Sequence, residues 1–180
     1  HPDTAPPQID FVAHSMGGLV VRAYLQRAGA RRPNHCVFLS TPHRGATLAR
    51  HYQDWTLYRW VMGTEAAQQL VPENAIYQRL GPVPSPYVGC IYGGKADGEG
   101  YSRNIPGDDD RAVGVEEAQL PEQTDAIQVL TSHTKIKFAD EPIRQVLHFL
   151  RHHRFDHGRF DHGPKATPDR NSRKPGVDRR

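Results

Sequence analysis

QIDFVAHSMGGLVVRAYLQR, residues 8–27, is the stretch whose reading decides the fold. Ile9, Phe11, Val12 and Ala13 make an apolar run of strand length. A glycine-bearing turn follows at His14-Ser15-Met16-Gly17-Gly18. Leu19, Val20, Ala23, Tyr24 and Leu25 then continue as a mostly apolar helix, with Arg22, Gln26 and Arg27 expected on its wetter side. A strand, a sharp turn with serine at its apex and a helix form the context of a nucleophile elbow. Such a turn demands small residues two before and two after the serine, because strand end and helix start nearly touch. Ala13 and Gly17 occupy those positions. On this reading His14, next to Ser15, points away from it and packs the elbow.

Three later segments join this one. LSTPHRGA ends the apolar run Cys36-Val37-Phe38-Leu39, IPGDDDRAVGV with the following EEA ends a long polar loop, and SHT precedes a helix reading EPIRQVLHFL. With AHSMGG, these segments resemble the α/β-hydrolases, and within them the lipase- and esterase-like proteins. The resemblance covers roughly residues 8–154, and its motifs come in the chain order Ser…Asp…His that this fold uses.

The resemblance implies an α/β fold: a mostly parallel sheet flanked by helices, with a cap over its carboxyl edge. It implies Ser15 as nucleophile, His133 as base by the match of Ser132-His133-Thr134 to the family's histidine loop, and an acid among Asp108, Asp109 and Asp110. The family pattern of Asp, two residues, Val, one residue, Val fits Asp110, with Asp109 next; the family usually has glycine where Arg111 stands. A serine hydroxyl is a weak nucleophile at neutral pH, so it needs a base, and the base needs an orienting acid. The backbone N–H of Met16 is the expected oxyanion donor. The second donor normally follows an earlier strand, so the N-terminal strands of the fold are expected to be missing from this sequence. His43 is the rival base, in a TPHRG segment that in this family shapes the site rather than titrating.

Residues 46–84 do not read as sheet. They are expected to form a helical, aromatic-rich cap insertion in which Trp55, Tyr58 and Met62, spaced i, i+3 and i+7, line an apolar acyl pocket or simply pack the cap. Strands are expected again at residues 87–92 and 126–130. A last helix is expected with Asp140 as its N-cap and Ile143, Val146, Leu147 and Leu150 along one face. Residues 1–154 then form a partial hydrolase domain and residues 155–180 a disordered basic tail.

With 180 residues, 37% hydrophobic and 24% charged, the chain has the bulk of one domain. Its net charge of +3 is not a nucleic-acid footprint, because residues 164–180 alone carry six Lys or Arg against two Asp. No apolar run is long enough for a transmembrane segment. Cys36 and Cys90 lie in apolar strands and are expected as buried free thiols. His152, His153, His157 and His162 supply no closed ligand set, so no metal or other cofactor is implied.

The expected reaction is hydrolysis of a carboxylic ester carrying an apolar acyl group, through an acyl-enzyme. Thioester or amide cleavage, acyl transfer to an alcohol on the same triad, and a non-catalytic fragment remain the alternatives.

Overall fold

The computed structural model describes residues 8–27, 29–48 and 76–158. Four strands, β1 (Asp10–His14), β2 (His35–Leu39), β3 (Tyr87–Gly94) and β4 (Asp125–Leu130), form one sheet in the order β1-β2-β3-β4. All three pairings are parallel. Helix α1 (Met16–Leu25) follows β1, the short α2 (Ile76–Arg79) precedes β3, and α3 (Asp140–His152) follows β4. A parallel sheet flanked by helices is the expected α/β architecture, and each strand lies within two residues of its sequence-based bounds.

The apolar character of β2 follows from burial on both sides, since alternate side chains of a strand face opposite ways. Cys36 and Phe38 pack with Ala13, Val88, Cys90, Tyr92 and Leu25 of α1. Val37 and Leu39 pack the other way, with Ile91, Ile127, Val129 and Phe149 of α3. The two cysteines are therefore buried and unbridged. Burial pushes the Cys36 thiol up to about 12 and raises that of Cys90 as well, which leaves both as small hydrophobes.

Three local expectations change. Arg22 is buried, not on the wet side of α1. Its guanidinium donates to the carbonyls of Leu80 and Gly81 and to His43, so it straps the segment leading into β3 onto the helix. Helix α3 is capped by Ala139, with Asp140 and Glu141 in its first turn, where acidic side chains favour the positive helix end. Its buried stripe is also rotated: Pro142, Gln145 and Phe149 are covered, Val146 and Leu150 of the expected face are partly buried against the core, and Ile143 and Leu147 are exposed.

The chain beyond α3 explains that rotation. Phe155 is buried against Phe149, and Gln145 accepts a hydrogen bond from the backbone N–H of Asp156. Asp156 also pairs with Arg144, and His157 with Asp125. Packing thus continues past residue 154, through 158, whereas the expected domain stopped at 154. The rest of the expected tail, and residues 49–75 of the expected cap with Trp55, Tyr58 and Met62, lie outside the described residues.

The elbow glycines differ from expectation in one respect. A methyl group at Gly17 would meet nothing within 4 Å. One at Gly18 would run into the side chain of Thr41, 2.9 Å from its Cβ. Thr41 is buried and β-branched, and cannot swing aside cheaply. The close approach of helix α1 to the loop after β2 therefore falls on Gly18. Gly18→Ala is expected to destabilise the protein by about 1–3 kcal/mol through overpacking. Gly17→Ala should be neutral or slightly stabilising, because alanine is the better helix former. Denaturant midpoints of the two variants check the contrast, and equal losses would contradict it.

Candidate active site

Ser15 sits between the last residue of β1 and the first of α1 with φ 54°. That left-handed backbone region costs a non-glycine residue free energy, and persists only where the surroundings enforce it. Here the Ser15 N–H donates to the Leu39 carbonyl at 2.9 Å, extending the β1–β2 ladder through the turn. The Ser15 carbonyl accepts from Gly18 N–H at 3.0 Å, starting the helix. The residue is held from both sides, and its hydroxyl projects at the carboxyl end of the sheet.

His133 and Asp110 meet it there. The His133 Nε2 lies 2.9 Å from Ser15 Oγ, and its Nδ1 lies 2.8 Å from Asp110 Oδ2. Asp110 is fully buried, and its other oxygen, Oδ1, accepts the backbone N–H groups of Ala112 at 3.0 Å and Val113 at 2.9 Å. Burial disfavours the charged carboxylate. The hydrogen bond and charge of His133, with hydrogen bonds from Ser40 and Val113, outweigh that cost and hold the carboxyl below its ordinary range. The sequence-predicted serine, histidine and aspartate thus converge in one hydrogen-bonded chain.

Each element supplies a reason for this convergence. A side chain at Gly93, near the end of β3, would place a Cβ 2.8 Å from Asp110 Cβ and 2.9 Å from the Thr131 carbonyl. Glycine there leaves room for the acid loop and the loop after β4 to cross the sheet end together. The His133 N–H donates to the Asp110 carbonyl at 2.8 Å, which ties the two loops to each other. Ile136, fully buried three residues on, plugs the histidine loop into the core.

The other candidates are placed elsewhere. Asp109 is also fully buried, but its carboxylate accepts the backbone N–H groups of Ser102 and Arg111 and braces its own loop. Asp108 accepts from Lys95 N–H and from Gln128. His43 is buried edge-on against Phe38, with Nδ1 3.3 Å from Arg22. Burial first, and the Arg22 charge second, lower its pKa to about 3, which makes it a very weak base. Arg111 adopts φ 91°, where glycine is favoured, and its guanidinium lies over the Tyr101 ring at 5.2 Å.

Two contributors escape sequence reasoning. Ser40, itself at φ 43° at the end of β2, hydrogen-bonds Asp110, and only its place in the LSTPHRGA loop hinted at proximity. His14 does not simply pack the elbow, because its Nε2 lies 2.9 Å from the His133 carbonyl oxygen.

Met16 opens α1, where the first N–H groups of a helix have no intrahelical partner. Its amide is adjacent to Ser15. Among the described residues, no group of three ligating side chains converges as a metal site, and no helix is long and apolar enough to cross a membrane.

No protein-family profile matches the chain, and no curated protein sequence matches it. Solved structures do. The chain is similar to the Bacillus licheniformis lipase BlEst2 in its propeptide form, with TM-score 0.60 and 20% identity over 78% of this chain and 36% of that one. To the mature form of the same lipase the TM-score is 0.61, with 21% identity over 80% of this chain and 64% of that one. At this identity the likeness establishes the shared fold, and the chain spans less than two thirds of the length of either structure.

Proposed function

We propose that this chain carries the catalytic centre of a serine hydrolase that cleaves carboxylic esters through an acyl-enzyme. The observation that carries the proposal is the chain of hydrogen bonds from Asp110 through His133 to the hydroxyl of Ser15, at 2.8 and 2.9 Å. Likeness in fold to a lipase supports ester hydrolysis as the chemistry.

In this reading Ser15 Oγ attacks the ester carbonyl carbon while His133 Nε2 takes the hydroxyl proton. The carbonyl oxygen becomes an oxyanion and is received by the Met16 N–H. Collapse of the tetrahedral intermediate breaks the bond to the leaving oxygen, which departs as the alcohol with the proton from His133. Water then repeats the cycle on the acyl-enzyme: His133 takes its proton, hydroxide adds to the acyl carbon, and Ser15 leaves reprotonated with the carboxylic acid as product. Asp110 stays ionised throughout and stabilises the imidazolium.

Trp55, Tyr58 and Met62, which lie outside the described residues, are proposed to contact the apolar acyl group. The test pairs a fluorophosphonate probe with matched aryl ester, thioester and anilide substrates. Labelling is expected on Ser15 alone, located by peptide mass, with turnover fastest on esters and rising with acyl length. Labelling of another serine, or a preference for thioester or anilide, would replace this reading with a different site or acyl-transfer chemistry.

A further inference from the structure

The residue before the nucleophile has a polar contact that the reaction scheme leaves unused. His14 ends β1 and is partly buried, its ring 4.7 Å from that of His133 and tilted by 45°. Its Nε2 is 2.9 Å from the carbonyl oxygen of His133. A carbonyl can only accept, so Nε2 carries the proton and neutral His14 is the Nε2–H tautomer. Burial lowers the pKa of His14, and so does the neighbouring His133, which keeps the ring neutral. The titratable groups around it are His133, Asp110 and Lys137.

With that bond counted, all four polar groups of His133 are engaged. Its N–H goes to the Asp110 carbonyl, its C=O receives His14, Nδ1 meets Asp110 and Nε2 meets Ser15. Asp110 holds the amide end of the residue, and His14 is the side-chain tether at its carbonyl end. Beyond it, the N–H groups of Lys135 and Ile136 donate to the Ser132 carbonyl and Ile136 is buried, so the loop is held on either side and His14 supplies the hydrogen bond at the His133 carbonyl itself. His14 is also bonded covalently to Ser15. A shift of the elbow therefore carries the histidine backbone with it, and the separation of Ser15 Oγ from Nε2 is preserved.

We propose that His14 is a positioning residue, whose Nε2–H anchors the His133 carbonyl and keeps the base in register with the nucleophile. The assignment rests on the triad reading above. Misplacement of a catalytic group by an ångström can cost about 100-fold in rate, so the tether is expected to act on kcat.

Three substitutions separate anchoring from packing. Gln places an amide N–H₂ where Nε2 stands, Asn reaches only to the place of Nδ1, and Phe keeps the ring without a donor. Relative to the unsubstituted chain, and per mole of titrated serine, His14→Phe and His14→Asn are expected to lose about 10- to 100-fold in kcat with little change in KM. His14→Gln is expected to recover most of that loss. A purely structural role would lower the titrated fraction and leave kcat per titrated serine unchanged in all three variants.

Independently of turnover, nitrogen shifts of His14 in the resting chain should show the Nε2–H tautomer. Full kcat in His14→Phe, His14→Gln as impaired as His14→Phe, or an Nδ1–H tautomer would each overturn the assignment. Were Ser15→Ala to keep full turnover, the triad reading would fall and this one with it. With Ser15→Ala inactive and His14→Phe at full rate, only the His14 assignment falls.

Discussion

Ser15→Ala is expected to lower ester turnover by about 10⁶, the loss that follows removal of a triad nucleophile. In the proposed mechanism the hydroxyl is the atom that forms the acyl bond, so its removal takes away the nucleophile. Both cysteines are buried with raised thiol pKa values, and neither presents a thiolate. The fold should tolerate the change, since Ser15 is held through its backbone bonds to Leu39 and Gly18. Its left-handed φ is no more strained with alanine than with serine. The measurement is steady-state hydrolysis of a short-chain aryl ester beside a thermal melt of both proteins. An unchanged melt with turnover within ten-fold of the unsubstituted chain would remove Ser15 from the mechanism.

Asp110→Asn is expected to cost about 10⁴ in turnover, and the hydrogen bonds around it say why. Oδ1 accepts two backbone N–H groups, from Ala112 and Val113, so the asparagine must keep its oxygen there. Its amide N–H₂ is then forced into the place of Oδ2 and donates to His133 Nδ1. The imidazole must answer as an acceptor on that side, which puts its proton on Nε2, facing Ser15. In that tautomer His133 can donate to the serine but cannot take its proton.

The neighbouring aspartates make the control. Both oxygens of Asp109 accept backbone N–H groups, so Asp109→Asn turns an amide against a donor and should cost about 1–3 kcal/mol of stability. It leaves the tautomer of His133 alone. Turnover per titrated serine, set beside the denaturant midpoint, separates the two effects. Were Asp109→Asn the variant that loses turnover with stability intact, the acid would be Asp109.

How much of this was legible in the sequence depends on how local each cause is. The run from Ile9 to Leu25 declares strand, turn and helix, because apolar spacing and a glycine-bearing turn are properties of neighbouring residues. The continuous apolar runs of β2 and β3 declare a sheet covered on both faces for the same reason. Ser15, Asp110 and His133 could be named because each lies in a short motif at the end of a strand or just beyond it, and parallel strands bring such ends to one edge. Asp110 could be preferred to Asp109 by its spacing to Val113 and Val115.

Other features depend on residues far apart in the chain, and only the tertiary structure decided them. Arg22 sits among apolar neighbours of a helix, and nothing near it tells that the carbonyls of Leu80 and Gly81, nearly sixty residues on, will satisfy it inside the protein. Gly18 rather than Gly17 carries the close approach because Thr41 lies there. The buried face of α3 turned toward Gln145 and Phe149 because Phe155 and Asp156 fold back onto it. His14 reads as an elbow residue until the loop after β4 brings the His133 carbonyl within hydrogen-bond reach. Periodicity counts apolar side chains along a segment; it carries no information about which distant polar group will be buried against that segment, and burial is what turns a polar side chain into a strut, a hook or an anchor.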